Sequence, residues 1–527
     1  MRRRFIAFVF ILAAIVLTVN AQNRTVSKSY SDAQILHVLQ RLTFGPKPGD
    51  VDAVRATGLE QWIQSQLNPE DIAENPVLEE RLKPLATLTL TPSQLMNSGL
   101  SLLGGRTVEI KIDAAVKKGL PVTGPGPIPP EMMQPRTLDM DLKDGKLYRA
   151  IYSKRQLEEV LVDFWFNHFN VTIAKGGYVA DYEREAIRPY VLGKFKDMLV
   201  ATALHPAMLQ YLDNKSSIAP EISQPNGPNY TRTFEGARGL NENFSRELME
   251  LHTLGVDGGY TQKDIEAAAR CFTGWFLKTT PANQTTHEPA SIGLFFMEWP
   301  HDPKDKFILG HTIKGSGEGE VYELLDILAS HPSTARHISK QLAQRFVADN
   351  PPQSLIDRMA KTFTETDGDL RAVMTTLLTS REFLSGESAL TKTKSPLELV
   401  ASTMRAVDAD TTNPAALEQW IADMGEPLYS KIEPTGYPNT GESWISTASL
   451  FVRLNFAANL VADKIPGVTM DRLRWKSKDA TVIARNILGR DPSASTVQEL
   501  RDGIVTEAVT PAFIAGLILG SPEFQRK

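Results

Sequence analysis

Apolar residues recur at helical spacing along most of this chain. Ile35, Leu36, Leu39 and Leu42 fall on one side of a helix, at intervals of three or four residues. A stretch rich in glycine and proline over residues 45–49 ends that run. The same spacing returns in segments that we predict to be helical, which are residues 51–67, 146–170, 182–212, 240–254, 261–277 and several runs within 321–524.

Two segments favour β-strand instead. Ile292–Phe296 and Lys306–Ile313 are the only convincing strand candidates, and a loop of modest length separates them. We predict that they form one small hairpin near residues 292–313, folded over helices. The pattern as a whole predicts a mainly α fold, a multi-helical bundle or array with one small β-hairpin.

Changes in this pattern divide the chain. From residue 85 to residue 145 the periodicity weakens, and Gly124–Pro130 has the glycine and proline content of a loop. We predict a loop-rich insertion there. The other predicted parts are N-terminal helices over 22–84, a central helical domain over 146–350 and a C-terminal helical region over 351–527.

The first residues have the parts of a secretory signal peptide. Arg2–Arg4 supply positive charge, Phe5–Val19 is an apolar run too short to span a bilayer as a helix, and Ala21 suits cleavage. We therefore predict a signal peptide over residues 1–21 and a periplasmic or extracellular mature protein. A retained anchor is the alternative. The arginines also fit a twin-arginine signal, so the choice between unfolded and folded export stays open.

Composition narrows the classes of function. The chain has 57 Lys and Arg against 62 Asp and Glu, and no long basic run, so nucleic-acid binding is not expected. No later apolar stretch reaches membrane-spanning length, so we predict no span in the mature protein. Cys271 is the only cysteine, which excludes an internal disulfide and thiolate-held zinc or iron–sulfur clusters. We expect Cys271 to pack as a small apolar residue.

The longest motif is Asn241–Val256, which reads NENFSRELMELHTLGV. Together with other pieces in the same order, it resembles the bacterial domain of unknown function 1800 family. Those pieces include Arg41–Pro46, Phe164–Phe169, His205–Leu209, His301-Asp302 and Pro434–Pro438. The resemblance covers nearly the whole mature chain.

The resemblance implies an exported, helical protein and supplies no established activity, substrate or cofactor. Members of this family are often encoded beside an exported sulfatase- or phosphatase-like family, which implies an exported protein partner. Cys271 departs from the alanine expected at its position, in keeping with a packing role.

The motif places its charges on one side of a predicted helix. On a regular helix, Arg246, Glu247 and Glu250 share a face with Asn243. Two carboxylates beside an arginine could hold a divalent cation, or could acquire different pKa values for acid–base catalysis. The alternative is an ion-pair network on a solvated face, which needs only charge balance.

Histidine and aspartate residues extend these candidates. His252 lies nearly opposite Glu250 on a regular helix, so the two cannot chelate one ion together, and its alternative role is a helix C-cap. His168 follows aromatic residues, where a core histidine is the alternative. His301 and Asp302 lie in a predicted loop, where such pairs usually form turns. The candidate catalytic residues are Glu247, Glu250, Arg246, His301 and Asp302, and the candidate metal ligands are Glu247, Glu250, His168 and His252.

Two hypotheses follow. The first is an exported hydrolase with a polar or divalent-metal site around Glu247 and Glu250. The second is a non-enzymatic envelope protein for binding or assembly, acting with an exported sulfatase- or phosphatase-like partner, because no zinc-peptidase, serine-elbow or phosphate-loop motif is present. Tyr437, Trp444 and Trp420 could line a carbohydrate or peptide groove or pack in the core. A closed pocket lined by the Glu247 face would favour the enzyme, and a broad exposed apolar surface would favour binding.

Overall fold

A computed structural model describes residues 30–91, 138–176, 178–220, 239–280, 291–471, 477, 479–503 and 510–527. The predicted signal peptide and residues 92–137 of the predicted insertion lie outside these ranges. The described part of that insertion contains a short 3₁₀ turn, Ala86–Leu88, and the start of a helix at Leu138.

Helices dominate the described residues, so the predicted mainly α class is confirmed. In the first half they are α1 (Asp32–Leu42), α2 (Asp50–Thr57), α3 (Leu59–Leu67), α4 (Pro76–Leu82), α5 (Leu138–Tyr152), α6 (Gln156–His168), α7 (Val179–Tyr182), α8 (Phe195–Ala203), α9 (Pro206–Tyr211), α10 (Glu242–Glu247) and α11 (Gln262–Cys271). In the second half they are α12 (Gly319–Ser330), α13 (Pro332–Phe346), α14 (Gln353–Glu365), α15 (Leu370–Leu378), α16 (Arg381–Leu384), α17 (Pro396–Ala406), α18 (Pro414–Asp423), α19 (Thr447–Val461), α20 (Ala480–Leu488), α21 (Ala494–Gly503) and α22 (Pro511–Gly520). No helix among the described residues is both long enough and apolar enough to span a bilayer.

Helix α1 shows how the sequence specifies these elements. Ser31 and Gln34 form a capping box, in which each side chain accepts the backbone N–H of the other residue and so satisfies helix-end donors. The apolar positions that predicted the helix are buried, namely Ile35, Leu36, Leu39 and Leu42. The capping residues and the apolar face therefore both specify the same helix.

The described residues contain three small antiparallel sheets of two strands each. β1 (Trp275–Thr280) pairs with β2 (Ser291–Phe296), and β3 (Lys306–Ile308) pairs with β4 (His311–Ile313). The third sheet joins β5 (Asp410–Thr411) to β6 (Val468–Thr469). A small hairpin is thus present near the predicted place, but it is formed by 306–313 alone, and the other predicted strand pairs with β1.

The helix predicted over 261–277 ends earlier, at Cys271. Gly274 takes a left-handed conformation, with φ of +83°, and a Cβ there would lie 2.6 Å from the carbonyl oxygen of Met297. Trp275 then starts β1 opposite Phe296, a cross-strand aromatic pair that stabilises a sheet. Cys271 itself is buried, as expected.

Segments far apart in sequence are held together by α1 and by the final residues. The Gln34 side chain donates to the carbonyl of Leu384 at 3.1 Å, and the Lys394 N–H donates to the carbonyl of Gln525 at 3.0 Å. The first of these bonds crosses three of the predicted domain boundaries. The division into parts at residues 84, 145 and 350 stays a prediction.

Helix α17 is buried along its whole length, from Pro396 to Ala406. Its buried residues include polar and charged ones, among them Glu398, Thr403 and Arg405. A helix surrounded on all sides needs a protein partner for each buried polar group. Arg405, for example, donates to the carbonyl of Ile151 at 3.0 Å. The partners of Glu398 form the centre of the site described next.

Candidate functional site

The motif helix starts regular and then widens. Asn241 caps α10 by accepting the Phe244 N–H at 3.2 Å, and the helix continues as a π-helical turn over Leu248–Thr253. In a π-turn each backbone bond spans five residues, as in the bond from Leu254 N–H to the carbonyl of Met249 at 2.8 Å. The 100° spacing of side chains that was assumed for a regular α-helix therefore applies only as far as Glu247.

The predicted charged face is present as two neighbouring carboxylates. Burial raises the pKa of Glu247, and the charge of Glu250 raises it further. The Tyr260 hydroxyl donates to Glu250 at 3.2 Å, and the Arg246 guanidinium donates to the Gln262 side chain at 2.8 Å. Glu247 and Glu250 are both half-buried. Catalytic and metal-binding roles for this face stay predictions.

The predicted histidines lie together on the other side of the π-turn. His168 and His252 have ring centroids 6.2 Å apart, and His337 joins them at 6.1 Å from His168. Two imidazoles bond to backbone carbonyls, His168 to that of His252 at 3.1 Å and His337 to that of Leu251 at 3.2 Å. Burial lowers the pKa of His252 to about 3, so its ring is neutral. In the described part of the chain, no three His, Cys, Asp or Glu side chains are arranged to hold a metal ion.

His301 and Asp302 belong to a different, buried network. The His301 imidazole bonds to Glu320 at 3.0 Å, and the Lys306 ammonium also contacts Glu320. Asp302 pairs with Arg270. Burial would raise the pKa of Asp302, but hydrogen bonds from the Lys304 backbone N–H and from Arg270 hold it below its ordinary value. These groups are satisfied by one another, as structural side chains are.

A narrow polar pocket lies elsewhere, where α5, α6, α13 and the start of α17 meet the loop after α18. The space open to water-sized spheres is about 60 Å³, more than the 10–15 Å³ or so that one water needs. Its charged lining residues are Lys146, Asp163, Arg345, Lys392, Glu398 and Glu426. Sequence reasoning missed all six, because they are scattered over 281 positions of the chain and belong to no motif.

The charges of this pocket alternate. The Lys146 ammonium lies 2.8 Å from one oxygen of Asp163, and the Arg345 guanidinium lies 3.8 Å from the other. Arg345 also contacts Glu398, and the Lys527 ammonium contacts the same oxygen of Glu398. Burial would raise the pKa of Glu398, but these two cations lower it well below its ordinary value, so Glu398 is ionised.

Glu426 differs from these carboxylates. One of its oxygens accepts the Leu397 N–H at 2.8 Å, near the start of α17, and no salt bridge to Glu426 is found within the described ranges. Burial raises the pKa of Glu426 to about 8, and the negative charge of Asp163 contributes. The pocket therefore places a carboxyl with a raised pKa, Glu426, near one with a lowered pKa, Glu398, and such opposed shifts are typical of acid–base sites.

Two of the sequence motifs meet at this pocket. The Asn167 side chain bonds to both backbone groups of Tyr437, accepting from its N–H at 2.6 Å and donating to its carbonyl at 2.8 Å. The Tyr437 ring lies 6.0 Å from that of Trp444, and both line the pocket, as the groove hypothesis allowed. Trp420 packs against Phe456 instead. The loop over 434–438 is thus fixed to α6.

The fold and the pocket define a mainly helical protein whose polar site is assembled from segments spread along the chain. A family model described as Protein of unknown function (DUF1800) matches residues 37–526, so the chain belongs to that family and the resemblance is confirmed. No curated protein and no solved structure was found to match.

The hydrogen bonds that hold the 434–438 loop against Asn167 predict the effect of Gly436→Ala. Gly436 is left-handed, with φ of +68°, and a Cβ there would lie 2.3 Å from the Asn167 carbonyl oxygen. We expect the free energy of unfolding to fall by roughly 3 kcal/mol or more, from strain plus clash. The control is Gly259→Ala, at φ of +88° with nothing within 4 Å of the added Cβ, which should cost roughly 1–2 kcal/mol. Urea unfolding followed by circular dichroism measures both free energies of unfolding. Equal decreases in the two variants would argue against close packing of the loop on Asn167.

The raised pKa of Glu426 predicts a pH dependence of stability. The Glu426 carboxyl loses its proton near pH 4.5 in the unfolded chain but near pH 8 in the folded chain. Its contribution to the free energy of unfolding is therefore fully present below pH 4.5 or so and is lost as the pH rises to about 8. Glu426→Gln removes this titration. As the pH rises from about 5 to about 8, the free energy of unfolding of the variant should therefore increase by a few kcal/mol relative to that of the wild type. Urea unfolding across this range tests it. Glu442→Gln, on the exposed part of the same loop, is the control, and parallel curves for Glu426→Gln and wild type would count against a buried protonated carboxyl.

Proposed function

We propose that this chain is an exported hydrolase whose active site is the polar pocket, with Glu426 as the general acid. The observation that carries the proposal is the buried Glu426 carboxyl, which accepts the Leu397 N–H, has its pKa raised to about 8 by burial, and lines the same narrow pocket as Asp163. A general acid works best when its pKa lies near the working pH. The pocket also brings together two motif segments, through Asn167 and Tyr437.

The proposed reaction uses the two carboxyl groups in opposite directions. Glu426 gives its proton to the leaving atom of the substrate as the bond to that atom breaks. Asp163 accepts a proton from the water whose oxygen forms the new bond, so each cycle consumes one water. The proton then returns from Asp163 to Glu426 through the pocket, which restores the starting state.

The cations of the pocket serve this reaction in two ways. Lys146, at 2.8 Å, and Arg345, at 3.8 Å, fix the orientation of Asp163. Their positive charge also stabilises negative charge that develops on the substrate, and it does so more strongly in a pocket than in open water. Lys392, which donates to the Asn439 carbonyl at 3.0 Å, adds a third cation to the wall.

The pair Glu247 and Glu250 is a second candidate site for the same chemistry. The raised pKa of Glu247 beside another carboxylate supports it. A divalent metal at this pair, with Arg246 as an anion-binding group, is part of that proposal. We favour the pocket because Glu398 and Glu426 are buried there, whereas both carboxylates of the pair are half-exposed.

The alternative function is a binding or assembly role in the cell envelope, with an exported sulfatase- or phosphatase-like protein as partner. The specific observation in its favour is the exposure of three large apolar side chains on α19, Leu450, Phe451 and Leu454. Recovery of one stoichiometric protein partner from envelope extract, with no turnover by the purified chain, would support this alternative.

A substrate screen tests the assignment of Glu426. Purified wild type, Glu426→Gln, the control Glu442→Gln and the double variant Glu247→Gln/Glu250→Gln are assayed on ester, phosphate ester, sulfate ester, glycoside and peptide substrates. We expect the wild type to turn over one class and Glu426→Gln to lower kcat by about 100-fold or more, because proton transfer contributes that much. The control should match the wild type. Full activity in Glu426→Gln would refute the assignment, and loss in the double variant alone would move the active site to the motif helix.

Export predicts a defined mature N-terminus. If the leader is cleaved after Ala21, the protein recovered from the periplasm begins at Gln22, since the small residues before that bond suit signal peptidase. Intact-mass spectrometry of periplasmic extract measures this directly. A mass that retains residues 1–21 would instead indicate a membrane-anchored chain.

A further inference from the structure

The Lys394 side chain lies in the interior without an anionic partner. It is 5 % exposed, and its ammonium lies 3.8 Å from the centroid of the Phe524 ring. The backbone N–H of Lys394 donates separately, to the carbonyl of Gln525 at 3.0 Å. Within the described ranges the ammonium itself makes no hydrogen bond and no salt bridge. Buried charges are normally paired and hydrogen-bonded, so this ammonium lacks a partner that its surroundings should supply.

A second buried cation lies beside it. Arg453 is 2 % exposed, and in the described part of the chain it bonds to neutral groups such as the Lys394 carbonyl, at 2.9 Å. The negative charge of Glu398 attracts both cations, but Arg345 and Lys527 already contact that carboxylate. Two like charges are therefore buried near one carboxylate that other cations neutralise.

Lys394 and Phe524 line a small cavity where residues 523–526 meet α17 and α20. The space open to water-sized spheres is about 20 Å³. A single water needs about 10–15 Å³, so the cavity holds one particle of about that size. Polyatomic anions such as phosphate and sulfate are too large for it.

The wall of this cavity contains more positive than negative charge. Its charged residues are Lys394, Arg490, Arg526 and Glu523. Burial would raise the pKa of Glu523, but hydrogen bonds and the charge of Arg490 hold it below its ordinary value. Glu523 and Arg490 form a salt bridge, whereas neither Lys394 nor Arg526 has one among the described residues. The wall therefore has two cations without an anion, and Lys394 is the buried one.

We propose that this cavity binds one chloride ion, held by the Lys394 ammonium and by the positive charges of Arg453 and Arg526. An anion is the partner that the buried ammonium lacks, and a monatomic anion fits the available volume. The bound ion joins the residues around Phe524 to α17 and α20, so it is a structural ligand of the fold. The site is separate from the proposed hydrolysis at Glu426, because no residue that lines this cavity also lines the polar pocket.

Water is the other candidate for this cavity, and the protonation of Lys394 distinguishes the two. Burial lowers the pKa of Lys394 to about 7, and the charge of Arg453 also lowers it, while Glu398 acts in the opposite direction. With water in the cavity the amine is therefore partly neutral near that pH. A bound anion favours the charged amine and raises its pKa, so chloride binding is accompanied by proton uptake.

Urea unfolding of the purified chain in sodium chloride and in sodium gluconate, at equal ionic strength, tests the site. We expect chloride to lower the unfolding equilibrium constant of the wild type in a saturable way, by about tenfold once chloride reaches about ten times its dissociation constant. Lys394→Met should lose this dependence. The control Lys175→Met should keep it, since Lys175 also lies over an aromatic ring, 5.3 Å from that of Tyr211, but outside the cavity.

A second measurement does not involve unfolding. Chloride is added to unbuffered protein at a pH close to the pKa of Lys394, about 7. The wild type and Lys175→Met should take up protons, and Lys394→Met should not. If Lys394→Met does not fold, Arg526→Gln removes the exposed cation of the wall and should weaken the chloride dependence instead.

The results separate a chloride site from a general effect of salt. Chloride dependence and proton uptake that disappear together in Lys394→Met, and persist in Lys175→Met, would establish the site. A chloride effect of equal size in the wild type and Lys394→Met, or equal unfolding of the wild type in the two salts, would overturn the inference. Absence of proton uptake by the wild type would assign the cavity to water.

Discussion

The arrangement of helices at the centre of this protein depends on one buried, ionised carboxylate, that of Glu398. Burying such a charge is energetically costly. A buried charge is tolerated when cations surround it, and removing one partner of such a set is far more damaging than the set is stabilising. Arg345 and Lys527 both contact Glu398, and Arg345 also reaches Asp163, which pairs with Lys146. One run of alternating charges therefore fixes α5, α6, α13, α17 and the final residues relative to one another.

Glu426 meets the same constraint by another route. It lies within the field of Asp163 and Glu398 and makes no salt bridge in the described part of the chain, so burial favours its neutral form and raises its pKa to about 8. The pairing that holds Glu398 ionised and the absence of pairing at Glu426 create two carboxyls of opposite character in one pocket. The raised pKa that makes Glu426 the proposed general acid thus follows from the way this fold balances buried charge.

The pattern of neighbouring residues predicted the individual helices, whereas the pocket is formed by residues that are far apart in the sequence. The spacing of Ile35, Leu36, Leu39 and Leu42 and the polar cap before them located α1, because each signal lies within one helix. The π-turn after Glu247 and the early end of α11 were missed, since backbone bonding and the pairing of Trp275 with Phe296 decide them. Glu398 and Glu426 stand in ordinary helical or loop sequence, and the charged groups that shift their pKa values lie up to 263 positions away, so no periodicity could reveal them. The motifs at Asn167 and Tyr437 marked two walls of the pocket without indicating that they touch.

A closed pocket lined by the Glu247 face was expected to favour an enzyme and a broad exposed apolar surface a binding protein, but the polar pocket of this chain is lined by other residues. The pocket is too small to hold a whole substrate, so contacts beyond it must supply much of the binding energy. Energy gained from remote parts of a substrate can position the scissile bond and desolvate the reacting groups.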